Sequence, residues 1–187
     1  DKPALLQYIP GTHALVYGRG DEQKSVSLHI HGDYPHTSEF EIEVEPEQDS
    51  YFAIILRVPV WATNFRAIVG DRTYLPASNR LLEIERDWSK GDKVRVSIPL
   101  EIRQVPDGDK TTQSIAFVRG PQVLATDTAI ESDDGALGSD WWGDAIYSSV
   151  VVQHGVEKTL HLVTFADAGQ NKEDYAVLHD GIQPQDE

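Results

Sequence analysis

Apolar and polar residues alternate along most of the chain with a period of two, the spacing of a β-strand that buries one face. The clearest examples are SVSLHIH (25–31), EFEIEVE (39–45) and KVRVSIPLEIR (93–103). In the first of these, Val26 and Leu28 share one face, whereas His29 and His31 share the other. YFAIILRVPV (51–60) is apolar on both faces, so it is predicted to be a more central strand.

Turn-forming residues separate these runs and indicate the fold class. Clusters of Gly, Pro, Asp and Asn follow the strands, as in GDYPHTS (32–38) and SKGD (89–92). No stretch shows a long apolar repeat of 3.6 residues with helix caps, so little helix is expected. Many short strands between turns are typical of antiparallel sandwiches, and we therefore predict an all-β fold. Polar residues 105–113 indicate an internal boundary, and 127–149 read as a long acidic loop.

Composition then limits the classes of partner. The 187 residues carry a formal net charge of −15 and no block of Lys or Arg, which argues against nucleic acid and anionic membrane as partners. No apolar run reaches the length of a membrane-spanning helix. The chain begins at Asp1 without the pattern of a signal peptide and contains no Met, so we expect a fragment or a processed product. These features leave its localisation open, including whether the parent protein is cytoplasmic, periplasmic or extracellular.

The stretch HIHGDYPH (29–36) allows two interpretations. His29 and His31 project from one face of a strand, and Asp33 follows in the turn, a nitrogen and oxygen set that zinc accepts. Alternatively, a Pro-containing turn joins two strands of a hairpin, with His31 opposite Glu39 and His29 opposite Glu41 on a solvated face. Because two histidines at this spacing lack a third fixed ligand, we favour the hairpin and predict no metal here.

Motifs of autonomous catalysis are missing. The chain has no cysteine, which excludes thiolate nucleophiles and disulfides, and it has no GxSxG or glycine-rich phosphate motif. Carboxylates are numerous, but none forms a pair in a setting that would separate two pKa values. The chain itself is therefore expected to be inactive.

The tandem Trp141-Trp142, in GSDWWGD, is the main candidate for a binding residue pair. Two indoles in a polar loop are suited first to docking on another domain, second to capping the local core, and third to stacking on a sugar ring. Trp61 and Trp88 each follow a predicted strand, and for both we expect packing in the core.

Several stretches, taken in order, resemble one family. These are LLQYIP (5–10), GDYPH (32–36), IILRVPVWA (54–62), LLEIERDWSKGDKVRVSIPLEIR (81–103), SIAFVRGPQVLA (114–125) and LHLVTFADAGQNKEDYAVLH (160–179). They are similar to segments in the C-terminal, β-rich part of glycoside hydrolase family 127, the β-L-arabinofuranosidase type. The resemblance spans nearly the whole chain.

The resemblance implies both an architecture and a limit on chemistry. Members carry an N-terminal (α/α)6 barrel with a cysteine nucleophile, a glutamate acid/base and a zinc ion held by cysteines and a glutamate. None of those motifs occurs here, so no catalytic residue can be assigned, and zinc is expected only in the barrel of the parent protein. The resemblance further implies two jelly-roll-like β-sandwiches, one inserted in the other: residues 11–105 as the inserted sandwich, and 1–10 with 106–187 as the second.

Two functions therefore stay open at this stage. The favoured hypothesis is a non-catalytic β-sandwich region of a bacterial glycoside hydrolase, which packs on and supports the catalytic barrel. The alternative is an independent carbohydrate-binding module that uses the aromatic loop. Expected partners are the barrel itself and plant-type or arabinose-containing glycans.

Overall fold

The computed structural model of the chain describes residues 2–77, 80–106, 114–127, 130, 145–169 and 175–182. In these residues the only helical segment is a short 3-10 turn, Gly20–Glu22, and none is long and apolar enough to cross a membrane. The all-β prediction is thus confirmed. In chain order the strands are β1 (Ala4–Leu5), β2 (Gly11–Tyr17), β3 (Lys24–Gly32), β4 (Glu39–Pro46), β5 (Ser50–Arg57), β6 (Arg66–Val69), β7 (Arg72–Tyr74), β8 (Leu81–Trp88), β9 (Asp92–Ser97), β10 (Ile102–Pro106), β11 (Ile115–Arg119), β12 (Gln122–Asp127), β13 (Tyr147–Gln153), β14 (Val156–Thr164), β15 (Tyr175–Ala176) and β16 (Leu178–His179).

The chain divides into two compact units, 1–100 (unit 1) and 101–187 (unit 2). Unit 1 contains a six-stranded sheet in the order β2-β3-β4-β9-β6-β7 and a three-stranded sheet in the order β1-β5-β8. All strand pairs are antiparallel except β1 with β5. Strand β5 is central in its sheet, as its two-sided apolar sequence predicts.

The two sheets of unit 1 share one apolar core, which is why the alternating pattern is so regular. Side chains on the inner faces meet between the sheets: the ring of Tyr17 stacks on that of Phe52 at 4.5 Å between centroids. Trp88 is fully buried and its indole N–H donates to the carbonyl oxygen of Phe52 at 3.0 Å. The buried strand residues of this core are Leu5, Tyr17, Val26, Leu28, Ile30, Phe40, Ile42, Val44, Phe52, Ile54, Leu56, Ala67, Val69, Leu82, Ile84, Trp88, Val94 and Val96.

Tyr8 closes one end of this core from the segment between β1 and β2. Its ring contacts those of Phe40 and Phe65, and its hydroxyl donates to the carbonyl oxygen of Arg57. Burial raises the pKa of the Tyr8 phenol above its ordinary value, so the hydroxyl stays protonated and keeps its role as a donor.

The described part of unit 2 is one sheet in the order β10-β11-β12-β14-β13, with β15 paired to β12 and β16 paired to β11. Its apolar cluster is smaller than that of unit 1 and consists of Ile115, Phe117, Leu124, Val151, Leu160, Leu162 and Ile182. Polar groups are buried beside it. The carboxylate of Asp127 accepts a hydrogen bond from the backbone N–H of Gly169 at 2.7 Å, and Thr164 donates to Asp167 at 2.6 Å. These bonds fix the turn formed by TFADAG (164–169).

The observed division differs from the predicted one, which placed 1–10 with 106–187 and ended the inserted sandwich at residue 105. Strand β1 pairs with β5, Ala4 opposite Ile55 and Leu5 opposite Leu56, and Leu5 is buried in the core of unit 1. The long run KVRVSIPLEIR is also not one strand. It breaks around Pro99, which has no N–H to donate, so β9 ends at Ser97 and β10 begins unit 2 at Ile102.

Candidate functional site

The outer face of the six-stranded sheet carries most of the polar residues that the sequence pattern singled out. Strands β3 and β4 form the predicted hairpin, with His29 opposite Glu43 and His31 opposite Glu41. The predicted pairing, His29 with Glu41 and His31 with Glu39, was wrong by two residues. The connection is longer than a tight turn, because Gly32 still pairs with Phe40 and residues 33–38 complete the loop.

Four glutamates, Glu39, Glu41, Glu43 and Glu45, project from the outer face of β4 and form what we call the glutamate ladder. Each lies near a basic side chain, and the histidines among these carry charge only when protonated. The contacts from β3 and β9 run diagonally to β4, whereas Arg66 reaches Glu39 from β6, across β9. The distances are 3.5 Å for His29 Nε2–Glu45 Oε2, 3.5 Å for His31 Nε2–Glu43 Oε2, 3.4 Å for Lys90 Nζ–Glu45 Oε1, 2.7 Å for Lys93 Nζ–Glu41 Oε1 and 3.9 Å for Arg66 Nη2–Glu39 Oε1. Glu39, Glu41 and Glu45 are therefore each paired with a Lys or Arg, whereas Glu43 lies beside His31.

The histidine pair is part of this ladder. The rings of His29 and His31 lie 6.4 Å apart between centroids, and His29 Nδ1 is 2.9 Å from the hydroxyl of Thr12. Within the described ranges, no three His, Asp or Glu side chains form a group that could hold a metal ion, and this includes His29, His31 and Asp33. The geometry thus offers the metal interpretation no support, and the expectation that no metal binds here stays a prediction.

A groove opens at one end of the same face, where β4, β9 and β6 run side by side. Its volume is about 280 Å³, and its polar lining comes from His31, Glu39, Glu41, Arg66, Arg95 and Ser97. Ser97 lies between Glu39 and Arg66, its partners on the two flanking strands. Because serine is short and both neighbours are long, the face is depressed at this point.

Sequence reasoning did not identify this groove. Arg66 and Arg95 are far apart in the chain, and only the pairing of β6 with β9 brings them together. Strand β6 is four residues long, too short for its alternation to be recognised. The only available signal was the polar face of residues 93–97.

A second cavity, of about 430 Å³, lies at the end of β5 and is lined by Val58, Pro59, Val60, Ala62, Pro76 and Arg80. Around it unit 1 exposes apolar side chains: Val60 is 74% exposed and Leu75 is 66% exposed. Leu81, which pairs with Arg57, and Leu6, whose carbonyl accepts from Arg57 at 3.4 Å, are also exposed. We call Leu6, Val60, Leu75 and Leu81 the apolar end of unit 1.

Comparison with protein families identifies unit 1. Residues 7–100 match the family model described as "Beta-L-arabinofuranosidase, GH127 middle domain". The chain belongs to this family. The match ends at the boundary between the two units, so the GH127 middle domain corresponds to nearly all of unit 1.

Solved structures extend the likeness beyond unit 1, to 92–95% of this chain. A GH127 β-L-arabinofuranosidase from Geobacillus stearothermophilus T6, Ara127N-Se, is 14% identical with a TM-score of 0.67, over 95% of this chain and 33% of that chain. The GH127 β-arabinofuranosidase BT3674 is 18% identical with a TM-score of 0.67, over 95% and 34%. A chain described as a glycoside hydrolase is 18% identical with a TM-score of 0.64, over 92% and 35%. No curated protein matches.

The chain therefore spans about a third of the length of these structural relatives. At these identities the likeness establishes the fold alone. It supports the predicted all-β architecture of a GH127-type protein.

The zinc site that the family resemblance implies does not fit this GH127 chain. That site needs cysteine ligands, and the 187 residues contain none. The cysteine-ligated zinc that the resemblance implies can therefore not be placed on residues of this chain.

Of the tryptophans that the sequence singled out, the structure describes Trp61 and Trp88. Trp88 is fully buried and Trp61 packs, partly buried, against the core of unit 1, as predicted for both. Trp141 and Trp142 lie outside the described residues. Their assignment to docking or sugar binding stays a prediction.

His179 is a buried titratable residue in the described part of unit 2. His179 is buried against the ring of Phe117, at 5.6 Å between centroids, and among the described residues its Nε2 has no hydrogen-bond partner. Burial lowers the pKa of the His179 imidazole, and the positive charge of Lys158 lowers it further, against a smaller opposite effect of Asp180. The neutral ring is thus the form that the fold accommodates, which suits a structural role.

Proposed function

We propose that this chain is the accessory β-sandwich part of a larger GH127-type glycoside hydrolase, and that it supports an (α/α)6 catalytic barrel without taking part in the reaction. The observation that carries the proposal is the match of unit 1 to the GH127 middle domain, in a chain that has no cysteine. The length relation to the structural relatives agrees with it, because about two thirds of each relative has no counterpart here. The nucleophile and the zinc ion would then belong to the barrel.

The apolar end of unit 1 is the surface we propose for contact with that barrel. Val60 and Leu75 are largely exposed beside a cavity whose walls include three consecutive residues, Val58, Pro59 and Val60. Contiguous apolar surface is costly to leave in water, at about 25 cal/mol per Å². Patches of this kind usually mark a contact with another domain or protein.

Substitution in the parent protein tests this role. We expect Val60→Asp to lower both the melting temperature and the arabinofuranosidase activity of the parent, because a carboxylate would be buried in the contact. Val16→Asp is the matched control, since Val16 is also exposed but lies on β2, away from the apolar end. Equal effects of the two substitutions would contradict the proposal.

Two simpler observations bear on the same proposal. The coding sequence that flanks residues 1–187 should encode a helical barrel with cysteine and glutamate motifs, and its absence would overturn the proposal. The isolated chain should not hydrolyse aryl β-L-arabinofuranosides. Turnover by the purified chain would show that it is catalytic in its own right.

Trp141 and Trp142 provide a second, separate proposal, carried by their position in an acidic, glycine-containing stretch. Either they contribute to the contact with the barrel, or they form an aromatic platform for arabinose- or galactose-containing glycans. Titration of such glycans with detection of tryptophan fluorescence distinguishes the two. A saturable change that is lost in Trp141→Ala/Trp142→Ala supports the carbohydrate-binding module, whereas no change supports docking.

A further inference from the structure

The groove beside the glutamate ladder contains a cation that the ladder does not neutralise. Glu41, the register partner of Arg95, has its carboxylate bound by Lys93 at 2.7 Å. Arg95 is exposed, and among the described residues its guanidinium has no ion pair or side-chain hydrogen bond. In a chain of net charge −15, this is a local site of positive charge that is open to solvent.

The neighbours of Arg95 shape a site around it. On β6, Ile68 lies opposite Arg95, and Arg66 lies two residues earlier, diagonally across the strand pair. Arg66 is only loosely paired, at 3.9 Å from Glu39, and both of those side chains are more than half exposed. Diagonal neighbours on a sheet are about 7–8 Å apart, so two guanidinium groups can converge on one anion in the groove.

The remaining lining is suited to a sugar ring. Ile68 offers an apolar surface to ring C–H groups, while the Ser97 hydroxyl and the Glu39 carboxylate can bind ring hydroxyls. No hydrogen bond within the described residues uses the Ser97 side chain. The volume of about 280 Å³ is that of a site for one sugar residue, not for a long segment of polymer.

We propose that this groove binds the carboxylate of a uronic acid residue in an acidic glycan, with Arg95 as the principal ligand and Arg66 as the second. Arginine is the side chain best matched to a carboxylate, because its planar N–H groups form two parallel hydrogen bonds. Glu39 and Glu41 border the same groove, and their charge disfavours doubly charged anions such as sulfate or phosphate. That the carboxylate is borne by a sugar rests on the proposed function of the chain; the anion site itself does not.

The test is a calorimetric titration of the full 187-residue chain with trigalacturonate, its methyl ester and inorganic sulfate. We expect saturable binding of the free acid and at least about tenfold weaker binding of the ester, which cannot accept two charge-assisted hydrogen bonds. Arg95→Gln should weaken binding of the acid by about tenfold or more, and Arg66→Gln by less. Arg72→Gln is the matched control, because Arg72 is on the neighbouring strand β7 and contacts the ring of Tyr74.

Each outcome of the titration either supports or overturns the proposed uronic acid site. No saturation by trigalacturonate, equal binding of acid and ester, or an unchanged affinity in a folded Arg95→Gln variant overturns the proposal. Sulfate binding as tight as that of the acid also overturns it, since it would indicate a general anion site. A negative result in this titration does not affect the Val60→Asp test of contact with the barrel. If the chain binds the free acid specifically but its gene encodes no barrel, the anion site is supported and the proposed function is overturned.

Discussion

The two units are built from the same alternating pattern, yet they differ in what they bury. The core of unit 1 joins two sheets and is apolar throughout, with Ser97 on the outer face as the single buried polar residue among those described. Unit 2 buries Ser114, Asp127, Thr164 and His179 beside a smaller apolar cluster. A period of two thus determines which face is buried, but not how strongly the unit depends on hydrogen bonds.

This difference has energetic consequences. Removing an apolar side chain from a packed core costs its transfer free energy and the energy of the cavity that is left. Removing one partner of a buried hydrogen bond instead leaves the other partner without water or protein to bind. Unit 1 should therefore respond mainly to changes of volume, and unit 2 to changes of polarity and pH.

The largest effect is expected in the core of unit 1. Trp88→Ala should destabilise unit 1 by about 4 kcal/mol, because it opens a large cavity and leaves the carbonyl of Phe52 without its donor. Hydrogen exchange in urea should show early opening of β5 and β8 while β13 and β14 stay protected. Trp88→Phe retains most of the side-chain volume and should destabilise unit 1 much less. Simultaneous loss of protection in both units would contradict the comparison.

A smaller effect, confined to unit 2, is expected for Asp127→Ala. The substitution leaves the N–H of Gly169 without its acceptor and should cost about 2 kcal/mol. Exchange of the amides in 164–169 and the urea midpoint of unit 2 measure it. Asp127→Asn keeps an acceptor oxygen and serves as the control. If the alanine variant were as stable as the asparagine variant, this bond would not stabilise the turn.

His179 should make unit 2 sensitive to acid. Burial lowers its pKa in the folded state below the ordinary value of 6.5, so the unfolded state binds more protons as the pH falls through that value. The stabilisation is complete above 6.5 and is lost progressively at lower pH, down to the folded pKa. The melting temperature of unit 2, measured between about pH 7.5 and pH 5, should fall less in His179→Phe than in the wild type. If the melting temperatures of the two proteins fell in parallel with pH, His179 would not be the cause of the acid sensitivity.

The smallest effect is expected on the glutamate ladder of unit 1. The hydrogen bond to Glu41 raises the pKa of Lys93, but the Lys93 side chain is more than half exposed and water screens the pair. Lys93→Gln should therefore shift the melting temperature far less than Trp88→Ala, and the shift should vanish in high salt. A large shift that persists in salt would show that the ladder, and not the core, stabilises unit 1.

Much of the fold could be predicted from the sequence, whereas the groove could not. The alternation at 25–31 and 39–45 correctly gave the buried faces of β3 and β4, because side-chain direction in a strand is a local property. The pairing of His29 and His31 was predicted two residues away from its real position. Hairpin register depends on the conformation of the whole loop, here 33–38, and the residue types in the loop do not fix its length.

The resemblance to family 127 gave the family correctly, but the predicted assignment of residues 1–10 differs from the observed one. Strand β1 has two residues, and its parallel pairing with β5 is a contact between distant parts of the chain. Such short strands carry too little pattern to reveal their neighbour.

The sequence alone thus determined the fold class, the family, the inward side of each main strand and the absence of cysteine-based chemistry. All of these follow from residue type and from periodicity over a few neighbouring positions. Only the tertiary structure decided which basic side chains contact which glutamates and that Ser97 lies between Glu39 and Arg66. It also decided that Arg95, beside them, has no ion pair among the described residues. These features depend on the order and register of strands that are distant in the chain, and those are fixed by the packing of the whole sheet.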